Sequence, residues 1–255
     1  MFDWPCPLRG FFVWIKMEKM VVEIKGLHFA YPDGTRALNG VDLKVVKGEA
    51  LGLIGSNGAG KSTLLLHLNG ILRGEGQVRI LGLKVTGKNA PQLRSLVGMV
   101  FQDPENQLFM PTVYEDVGFG PLHLGRKKAE VDDSVRRALE AVDMLGFIQR
   151  TPHHLSIGEK KRLAIATVLS MDPEILVLDE PSSNLDPRHR RDLMELLGRL
   201  PMTKIIASHD LDFISRTCTR VALLDGGAVV AAGPVADVLG DRLLMERFGM
   251  LEPVN

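Results

Sequence analysis

The stretch Gly55-Ser56-Asn57-Gly58-Ala59-Gly60-Lys61-Ser62-Thr63 decides the fold of this chain. It fits the pattern G-x-x-x-x-G-K-[ST] of a phosphate-binding loop. Residues 49–54 in front of it are an apolar run typical of a buried strand. Residues 62–70 are an apolar run that ends at a glycine, which is typical of a helix. Strand, loop and helix in this order predict a nucleotide-binding α/β unit.

The residue types of this loop suit the binding of a phosphate chain. Gly55, Gly58 and Gly60 let the backbone approach a phosphate without a Cβ in the way, and the loop N–H groups form an anion-binding nest at the start of a helix. Lys61 supplies a positive charge for the β- and γ-phosphates, and the Ser62 hydroxyl is placed to bind Mg²⁺. The alternative is a glycine-rich turn with a surface lysine, and the flanking strand and helix argue against it.

The composition limits the classes of protein. The chain has 255 residues, 45% of them hydrophobic and 24% charged, which fits one large globular α/β domain with a subdomain. Its formal net charge is zero, which counts against a general nucleic-acid binder because such proteins carry a basic excess. Cys6 and Cys218 lie far apart without the spacing of a metal site, so neither a disulfide framework nor a bound zinc is expected. No apolar stretch reaches the roughly 18 residues of a transmembrane helix.

Residues 1–19 stand apart from the globular pattern, which begins near Met20. Their apolar run is too short to cross a membrane and lacks the arrangement of a secretory signal. One interpretation is an upstream start at Met1, with Met17 or Met20 as the start that the cell uses. The other is a short anchor for a membrane surface or a partner. We expect an N-terminal extension over residues 1–19 and the globular domain over residues 20–255.

The order of the elements predicts an α/β fold. Strands followed by helices favour a mostly parallel sheet with right-handed crossovers, and a hairpin-like turn at residues 31–34 favours an antiparallel part before it. The separation between Lys61 and Asp179 exceeds what one crossover requires, so residues 103–172 are expected to form an inserted, largely helical subdomain. Within it, residues 103–125 hold three prolines and three glycines, which predicts no long regular element there.

Polar residues follow three of the predicted strands. They are Gln102, the pair Asp179 and Glu180, and His209. Ligands in parallel sheets bind at the carboxyl ends of the strands, so we expect these side chains and the phosphate-binding loop to line one site. Asp179 is placed to hold Mg²⁺ through water, and Glu180 is placed to orient or deprotonate the attacking water. The alternative is a strand that ends in two solvated acids, and the loop beside it disfavours that interpretation.

Taken together, these motifs resemble the ATP-binding cassette (ABC) family over nearly the whole chain from about residue 20. The matching segments are Tyr31 (the adenine-stacking aromatic residue), GSNGAGKST at 55–63 (Walker A), Gln102 (the Q-loop glutamine), LSIGEKKR at 155–162 (the signature motif), ILVLDE at 175–180 (Walker B with the catalytic glutamate), SNLD at 183–186 (the D-loop) and His209 (the switch histidine). The resemblance implies a P-loop NTPase core with an antiparallel β subdomain and an inserted helical subdomain.

The resemblance also implies a mechanism. ATP and Mg²⁺ are the cofactors, and two ATPase subunits, a homodimer or a pair of close paralogues, clamp two ATP molecules head to tail. Each ATP lies between one chain's phosphate-binding loop and the other chain's signature motif, with Ser156, Gly158 and the D-loop residue Asp186 at the nucleotide. The catalytic residues are then Glu180, His209, Gln102 and Lys61, and the Mg²⁺ ligands are Ser62, Gln102 and Asp179.

One position departs from the family's pattern. The signature usually reads LSGGQ or LSGGE, and Ile157 replaces its first glycine here. If this position needs a positive φ, the β-branched side chain is strained and the signature binds ATP more weakly. If Gly158 provides the close backbone approach, the contact with ATP is retained.

Three segments resemble the energy-coupling factor importers, which take up cobalt, nickel or vitamins. They are FAYPDG (29–34), VFQDPENQLF (100–109) and TVYEDVGFGPLHLG (112–125). We favour cobalt or nickel, because those systems often use one ATPase as a homodimer. The resemblance implies integral membrane transport subunits as partners, a peripheral location at the cytoplasmic face of the cell membrane, and no nucleic acid. Two alternatives remain: a soluble ABC ATPase that acts on nucleic acid or ribosomes, and a regulatory module that does not hydrolyse ATP.

Overall fold

The computed structural model describes residues 19–251. The two interpretations of the N-terminal extension concern residues that lie, apart from Lys19, outside this range. The strands are β1 (Met20–Ala30), β2 (Arg36–Val46), β3 (Ala50–Ile54), β4 (Glu75–Ile80), β5 (Leu83–Lys84), β6 (Val97–Val100), β7 (Ile175–Asp179), β8 (Thr203–Ala207), β9 (Arg220–Asp225) and β10 (Ala228–Pro234). The α-helices are α1 (Lys61–Leu68), α2 (Ala90–Leu96), α3 (Val113–His123), α4 (Lys128–Ala141), α5 (Ile157–Leu169), α6 (Pro187–Arg199), α7 (Leu211–Thr217), α8 (Val235–Gly240) and α9 (Arg242–Arg247).

The strands form two sheets. The larger has the order β10-β9-β3-β8-β7-β6, and all its neighbours are parallel except the β9–β10 hairpin. The smaller is antiparallel, with the order β2-β1-β4-β5. This confirms the predicted α/β fold with a mostly parallel core sheet and a separate antiparallel sheet. Helices α3, α4 and α5 lie within residues 103–172, and the exact bounds of a helical subdomain stay a prediction.

The core consists of two apolar clusters on opposite faces of the larger sheet. Strand β7 is buried at every residue. Its Leu176 and Leu178 belong to the cluster that includes α3, α4 and α5, whereas Ile175 and Val177 belong to the cluster that includes α1 and the antiparallel sheet. Because side chains alternate between the faces of a strand, a continuous apolar run of this kind needs a cover on both sides, and the fold provides it.

The prediction that residues 103–125 hold no long regular element is wrong, because α3 occupies 11 of them. The helix begins with a capping box: the Thr112 hydroxyl accepts from Glu115 N, and the Glu115 carboxylate accepts from Thr112 N at 3.1 Å. Pro121 lies near the end of the helix, so the backbone hydrogen bond that it removes belongs to the last turn.

The glycines of α3 are explained by close packing. A Cβ at Gly118 would lie 3.3 Å from Cγ1 of Val131, and one at Gly120 would lie 2.7 Å from Sδ of Met171. Tertiary contacts therefore require the residues that, in the sequence alone, argue against a helix.

The strand register aligns the ends of the parallel strands. We call the end of the larger sheet where β3, β6, β7 and β8 finish its carboxyl edge, and the opposite end its amino edge. At the carboxyl edge the aligned pairs are Val100 with Leu178, Asp179 with Ala207 and Leu53 with Ala207. The residues that directly follow these four strands therefore lie together at the carboxyl edge.

Candidate active site

The phosphate-binding loop joins the buried strand β3 to α1. Gly55, Gly58 and Gly60 all have positive φ, at 148°, 82° and 103°. Two of them are also required by neighbouring backbone: a Cβ would lie 2.2 Å from Leu224 O at Gly55 and 2.5 Å from Ala37 O at Gly60. The glycines thus shape the loop and let it pack against β9 and β2.

Lys61 is buried at the start of α1. Its Nζ donates to Gly55 O at 2.7 Å and to Ser56 O at 3.1 Å. Burial lowers the pKa of its ammonium, and the negative charges of Glu180 and Asp179 oppose this shift. The lysine lies across its own loop, where its charge faces the carboxylates at the end of β7.

A cavity of about 410 Å³ lies over this loop. Its lining brings together Tyr31, six loop residues, Gln102, Glu180 and His209, all of which were predicted for one site; the predicted Asp179 is not in the lining. The lining residues are Tyr31, Thr35, Arg36, Ala37, Asn57, Gly58, Gly60, Lys61, Ser62, Thr63, Gln102, Glu180 and His209. Gly55, Ser56 and Ala59 belong to the loop but are not in the lining. Thr35, Arg36 and Ala37 were not predicted, and their closeness to Tyr31 in the β1–β2 turn was the available signal.

Tyr31 is anchored to the loop at one side of the cavity. Its hydroxyl hydrogen-bonds to Oγ1 of Thr63 at 2.9 Å, and its ring meets the edge of Phe29 at 5.0 Å between centroids. The side chain is therefore held in place at the mouth of the loop, with 36% of the residue exposed.

Asp179 is next to Ser62, which lines the cavity, and carries an unsatisfied oxygen. Its carboxylate hydrogen-bonds to Ser62, and burial raises its pKa. Its Oδ1 is buried and has no hydrogen-bond partner among the described residues. A buried carboxylate oxygen beside a serine hydroxyl fits a hard cation such as Mg²⁺. Among residues 19–251 no group of three or more His, Cys, Asp or Glu side chains is arranged to hold a metal ion by itself.

Glu180 takes a different direction from Asp179. Its backbone has φ 45°, which is unusual for a residue with a side chain. Its carboxylate accepts from Ser208 Oγ at 3.2 Å and from the backbone N and Nδ1 of His209 at 3.1 and 2.9 Å. The His209 side chain is 65% exposed. The two residues form a hydrogen-bonded pair in the lining of the cavity, and their roles as base and switch histidine stay predictions.

The signature residues lie elsewhere. Ser156 is the N-cap of α5 and forms a capping box with Glu159. A Cβ at Gly158 would lie 2.5 Å from Cδ2 of His189, whose Nδ1 hydrogen-bonds to Asp186 at 2.6 Å. Ser156, Gly158 and Asp186 are not in the lining of the cavity.

The structure also answers the question about Ile157. It is the first residue of α5 and is absent from the non-glycine residues with positive φ in the described part of the chain. Of the two alternatives, the one that requires a positive φ does not apply in this structure, because the backbone of Ile157 is helical.

Sequence reasoning missed Lys161. This residue of α5 is 5% exposed, and its Nζ donates to Gln102 O and Glu180 O, both at 3.2 Å, and to Ser183 Oγ at 3.0 Å. Burial lowers the pKa of its ammonium to about 8, against the opposing charges of Glu180 and Asp103. The available signal was its spacing, because Lys161 lies three residues from both Gly158 and Ala164 on the buried face of the helix.

Comparison with known proteins identifies the family. Residues 38–183 match the model of the family described as ABC transporter. A putative ABC transporter ATP-binding protein of Gloeobacter violaceus is 52% identical over 94% of this chain and 98% of its own length. The energy-coupling factor transporter ATP-binding protein EcfA of Methanocaldococcus jannaschii is 49% identical over 87% of this chain and 81% of its own.

A solved structure agrees with this assignment. The cbiO1 protein of Clostridium perfringens, described as part of the ABC transporter complex cbiONQ, superposes with a TM-score of 0.81 at 36% identity, covering 92% of this chain and 97% of that one. With the loop, the cavity and the Glu180–His209 pair in place, the chain belongs to the ABC transporter family and is an ATP-binding, ATP-hydrolysing subunit of a transporter.

Proposed function

We propose that this ATPase energises a membrane importer of the energy-coupling factor type, for cobalt or nickel ions or for a vitamin. The similarity to EcfA and to the cbiO1 protein supports the importer class. The chain acts from the cytoplasmic face of the membrane as a peripheral subunit. None of the helices within residues 19–251 could itself cross a bilayer.

Hydrolysis is assigned to the residues around the cavity. Lys61 exchanges its two loop carbonyls for the β- and γ-phosphates, and the loop N–H groups hold the same phosphates. Glu180 accepts a proton from the attacking water, while His209 and Gln102 face the γ-phosphate from the ends of β8 and β6. Ser62, Asp179 and Gln102 would hold Mg²⁺, which neutralises the charge of the transferred phosphoryl group. Tyr31 stacks on the adenine.

The signature residues require a second subunit. Ser156, Gly158 and Asp186 are outside the lining of the cavity in this chain. They act on the nucleotide of a partner ATPase, a second copy or a close paralogue. The N-terminus of α5 then directs its positive end at the partner's γ-phosphate. ATP closes this dimer and hydrolysis loosens it.

A groove beside α3 is the docking site for the membrane subunit. Its volume is about 390 Å³, and the large apolar side chains Phe109 and Leu122 nearby are 58% and 60% exposed. The lining residues are Met110, Tyr114, Glu115, Gly118, Phe119, Leu122, Lys128 and Val131. A cytoplasmic helix with an apolar face and a few charges fits this lining, because the floor is apolar and the charges of Glu115 and Lys128 lie at the rim.

The observation that carries the docking proposal is this exposed apolar groove, and a pull-down tests it. Tagged wild type, Leu122→Glu and Leu243→Glu are incubated with detergent-solubilised native membranes, and mass spectrometry identifies the proteins bound. Leu243 is 80% exposed on α9 and serves as the matched control. We expect integral membrane subunits with wild type and Leu243→Glu but not with Leu122→Glu. Ribosomal or DNA-bound proteins alone would overturn the importer proposal in favour of a soluble ABC ATPase.

The chemistry has a separate test. Glu180→Gln is expected to lose ATP turnover by about 100-fold or more, while it still binds ATP and accumulates as an ATP-bound dimer on size-exclusion chromatography. Glu195→Gln, an exposed glutamate of α6, should behave as wild type. Undiminished turnover in Glu180→Gln would remove Glu180 from the catalytic role.

A further inference from the structure

The backbone of Glu180 is held by an unusual set of contacts. A positive φ at a residue with a side chain persists only where the surroundings fix it. Here the Glu180 N–H donates to Ala207 O at 2.8 Å. Its carbonyl oxygen accepts from Ser183 N at 3.2 Å, from Ser183 Oγ at 2.8 Å and from Lys161 Nζ at 3.2 Å. Lys161 contributes the charged donor of this set.

The ammonium of Lys161 has a hydrogen-bond acceptor for each of its N–H groups. Its three N–H donors meet three acceptors, the carbonyl oxygens of Gln102 and Glu180 and the hydroxyl of Ser183. Lys161 forms no ion pair within the described residues. A buried ammonium without a bound carboxylate depends on the position of these three oxygens, and they depend on it in turn.

Lys161 connects four segments around the nucleotide. It lies on α5, whose N-cap is the signature residue Ser156. Gln102 follows β6, Glu180 follows β7, and Ser183 precedes the N-cap of α6. One side chain thus joins the signature helix to the ends of two strands and to the D-loop.

We infer that Lys161 is a positioning residue for hydrolysis: its ammonium fixes the backbone of Glu180 and Gln102 so that both side chains face the γ-phosphate. This inference rests on the role proposed for Glu180. Lys161 does not line the cavity and has no contact with the phosphates to make. Its loss therefore affects the chemical step and leaves nucleotide binding to the loop and Tyr31 unchanged.

The chain offers a matched control. Lys204 is also a buried lysine, 8% exposed, and its Nζ donates to Leu200 O at 2.6 Å and to Met202 O at 3.3 Å. It lies on β8 near the amino edge of the sheet, away from the cavity. A general effect of removing a buried ammonium would appear in Lys204→Met as well.

The experiment compares Lys161→Met, Lys161→Gln and Lys204→Met in the full chain. ATP turnover gives kcat and KM, a fluorescent ATP analogue gives Kd, and thermal unfolding reports the fold. In Lys161→Met we expect kcat to fall about 10- to 100-fold with KM and Kd unchanged within about twofold, since a small displacement of the reacting groups has an effect of this size. Lys161→Gln keeps two donors and should lie between Met and wild type. Lys204→Met should keep the wild-type kcat.

Two results would overturn the inference: a kcat in Lys161→Met equal to that of Lys204→Met, or a rise in KM and Kd that accounts for the loss of activity. If Lys161→Met does not fold, the comparison of Lys161→Gln with Lys204→Gln decides in the same way. Glu180→Gln in the same series separates the two proposals. If Glu180→Gln keeps its turnover, the catalytic assignment fails; if it loses turnover and the Lys161 variants do not, the positioning role fails.

Discussion

The two edges of the larger sheet are formed by the same strands, but the hydrogen bonding of the buried polar groups differs between them. At the amino edge, Glu49 accepts from Arg220 Nε at 2.5 Å and from Val46 N at 2.9 Å. Thr203 Oγ1 accepts from Gly48 N at 2.9 Å. These groups all have hydrogen-bond partners, and the residues that provide them are not in the lining of the cavity over the phosphate-binding loop.

At the carboxyl edge, by contrast, a buried polar atom has no hydrogen-bond partner among the described residues. Asp179 has an oxygen with no partner among the described residues, and Glu180 has a positive φ of 45°. The ammonium of Lys61 donates hydrogen bonds to two carbonyl oxygens of its own loop. Unsatisfied groups and strained backbone in a well-packed protein point to a ligand that completes them. We therefore expect ligand binding and catalysis at the carboxyl edge, and a purely structural role for the polar groups of the amino edge.

The largest effect is expected for Asp179→Asn. Turnover in Mg²⁺ should fall at least about 100-fold, because an ion at this site supplies several kcal/mol of charge stabilisation. Stability should change in the opposite direction. Burial raises the pKa of Asp179, so its contribution to stability is lost as the pH rises through that pKa, and the charge is a cost at neutral pH. Without nucleotide and metal, Asp179→Asn should melt at a higher temperature than wild type.

The control for this prediction is Asp237→Asn, an exposed aspartate of α8. It should change neither turnover nor the melting temperature. A lower melting temperature in Asp179→Asn would show that the carboxylate stabilises the fold, and the carboxyl edge would then resemble the amino edge.

The amino edge should respond in the reverse sense. Arg220→Met leaves the Glu49 carboxylate, whose side chain is 8% exposed, without its charged partner. We expect a loss of about 1–3 kcal/mol in the free energy of unfolding, measured with urea, and a kcat within about twofold of wild type. Arg242→Met, which breaks an exposed pair with Glu246, should cost less than about 1 kcal/mol. A large loss of kcat in Arg220→Met would couple the two edges and contradict the comparison.

A smaller, pH-dependent effect is expected at Cys218, which caps α7 just before β9. Burial raises the pKa of its thiol from 9.0 to about 11. The folded state thus holds the proton more tightly than the unfolded state, and this contribution to stability is lost as the pH rises from about 9 to about 11. In a Cys6→Ser background, we expect slow alkylation of the native thiol at pH 8 and a decline in stability over this window that Cys218→Ala lacks. Fast native alkylation would contradict the burial.

The smallest effect is expected at Ile157, because the strain at the carboxyl edge does not extend to the signature motif. Ile157 is 41% exposed and helical. Ile157→Gly should leave turnover within about twofold and cost up to about 1 kcal/mol of stability. Gly158→Ala is the informative partner, since its Cβ would lie 2.5 Å from the His189 ring. A strong gain of activity in Ile157→Gly would show that the side chain does interfere with nucleotide binding.

Much of the fold could be predicted because it is encoded locally. The apolar run before Asp179 has a length and composition typical of a buried parallel strand, and Asp186 followed by Pro187 predicts the start of α6. The residues around the phosphate-binding loop were found because their types and spacing follow from phosphate chemistry. Helices α2 and α7 were missed, as seven residues each are too few to show a clear period.

The remaining features depend on contacts between distant parts of the chain. The glycines of α3 are explained only by Val131 and Met171. Lys161 looks like half of an exposed lysine pair until its helix is placed against Gln102 and Glu180. The φ of Glu180 is fixed by neighbours from β8 and α5. A local sequence pattern carries no information about contacts between distant residues. The sequence therefore identifies the site residues but not the residues that hold them in place.

The glycines of α3 have a consequence for how this region folds. A helix with Gly118, Gly120 and Pro121 in its second half has little helical tendency of its own. The helix is therefore stabilised by its contacts with α4 and with Met171, which follows α5. The amide protons of α3 should therefore exchange with solvent together with those of α4, as one cooperative unit, rather than fraying from the end that contains the proline. The groove beside α3 exists only while this unit is closed.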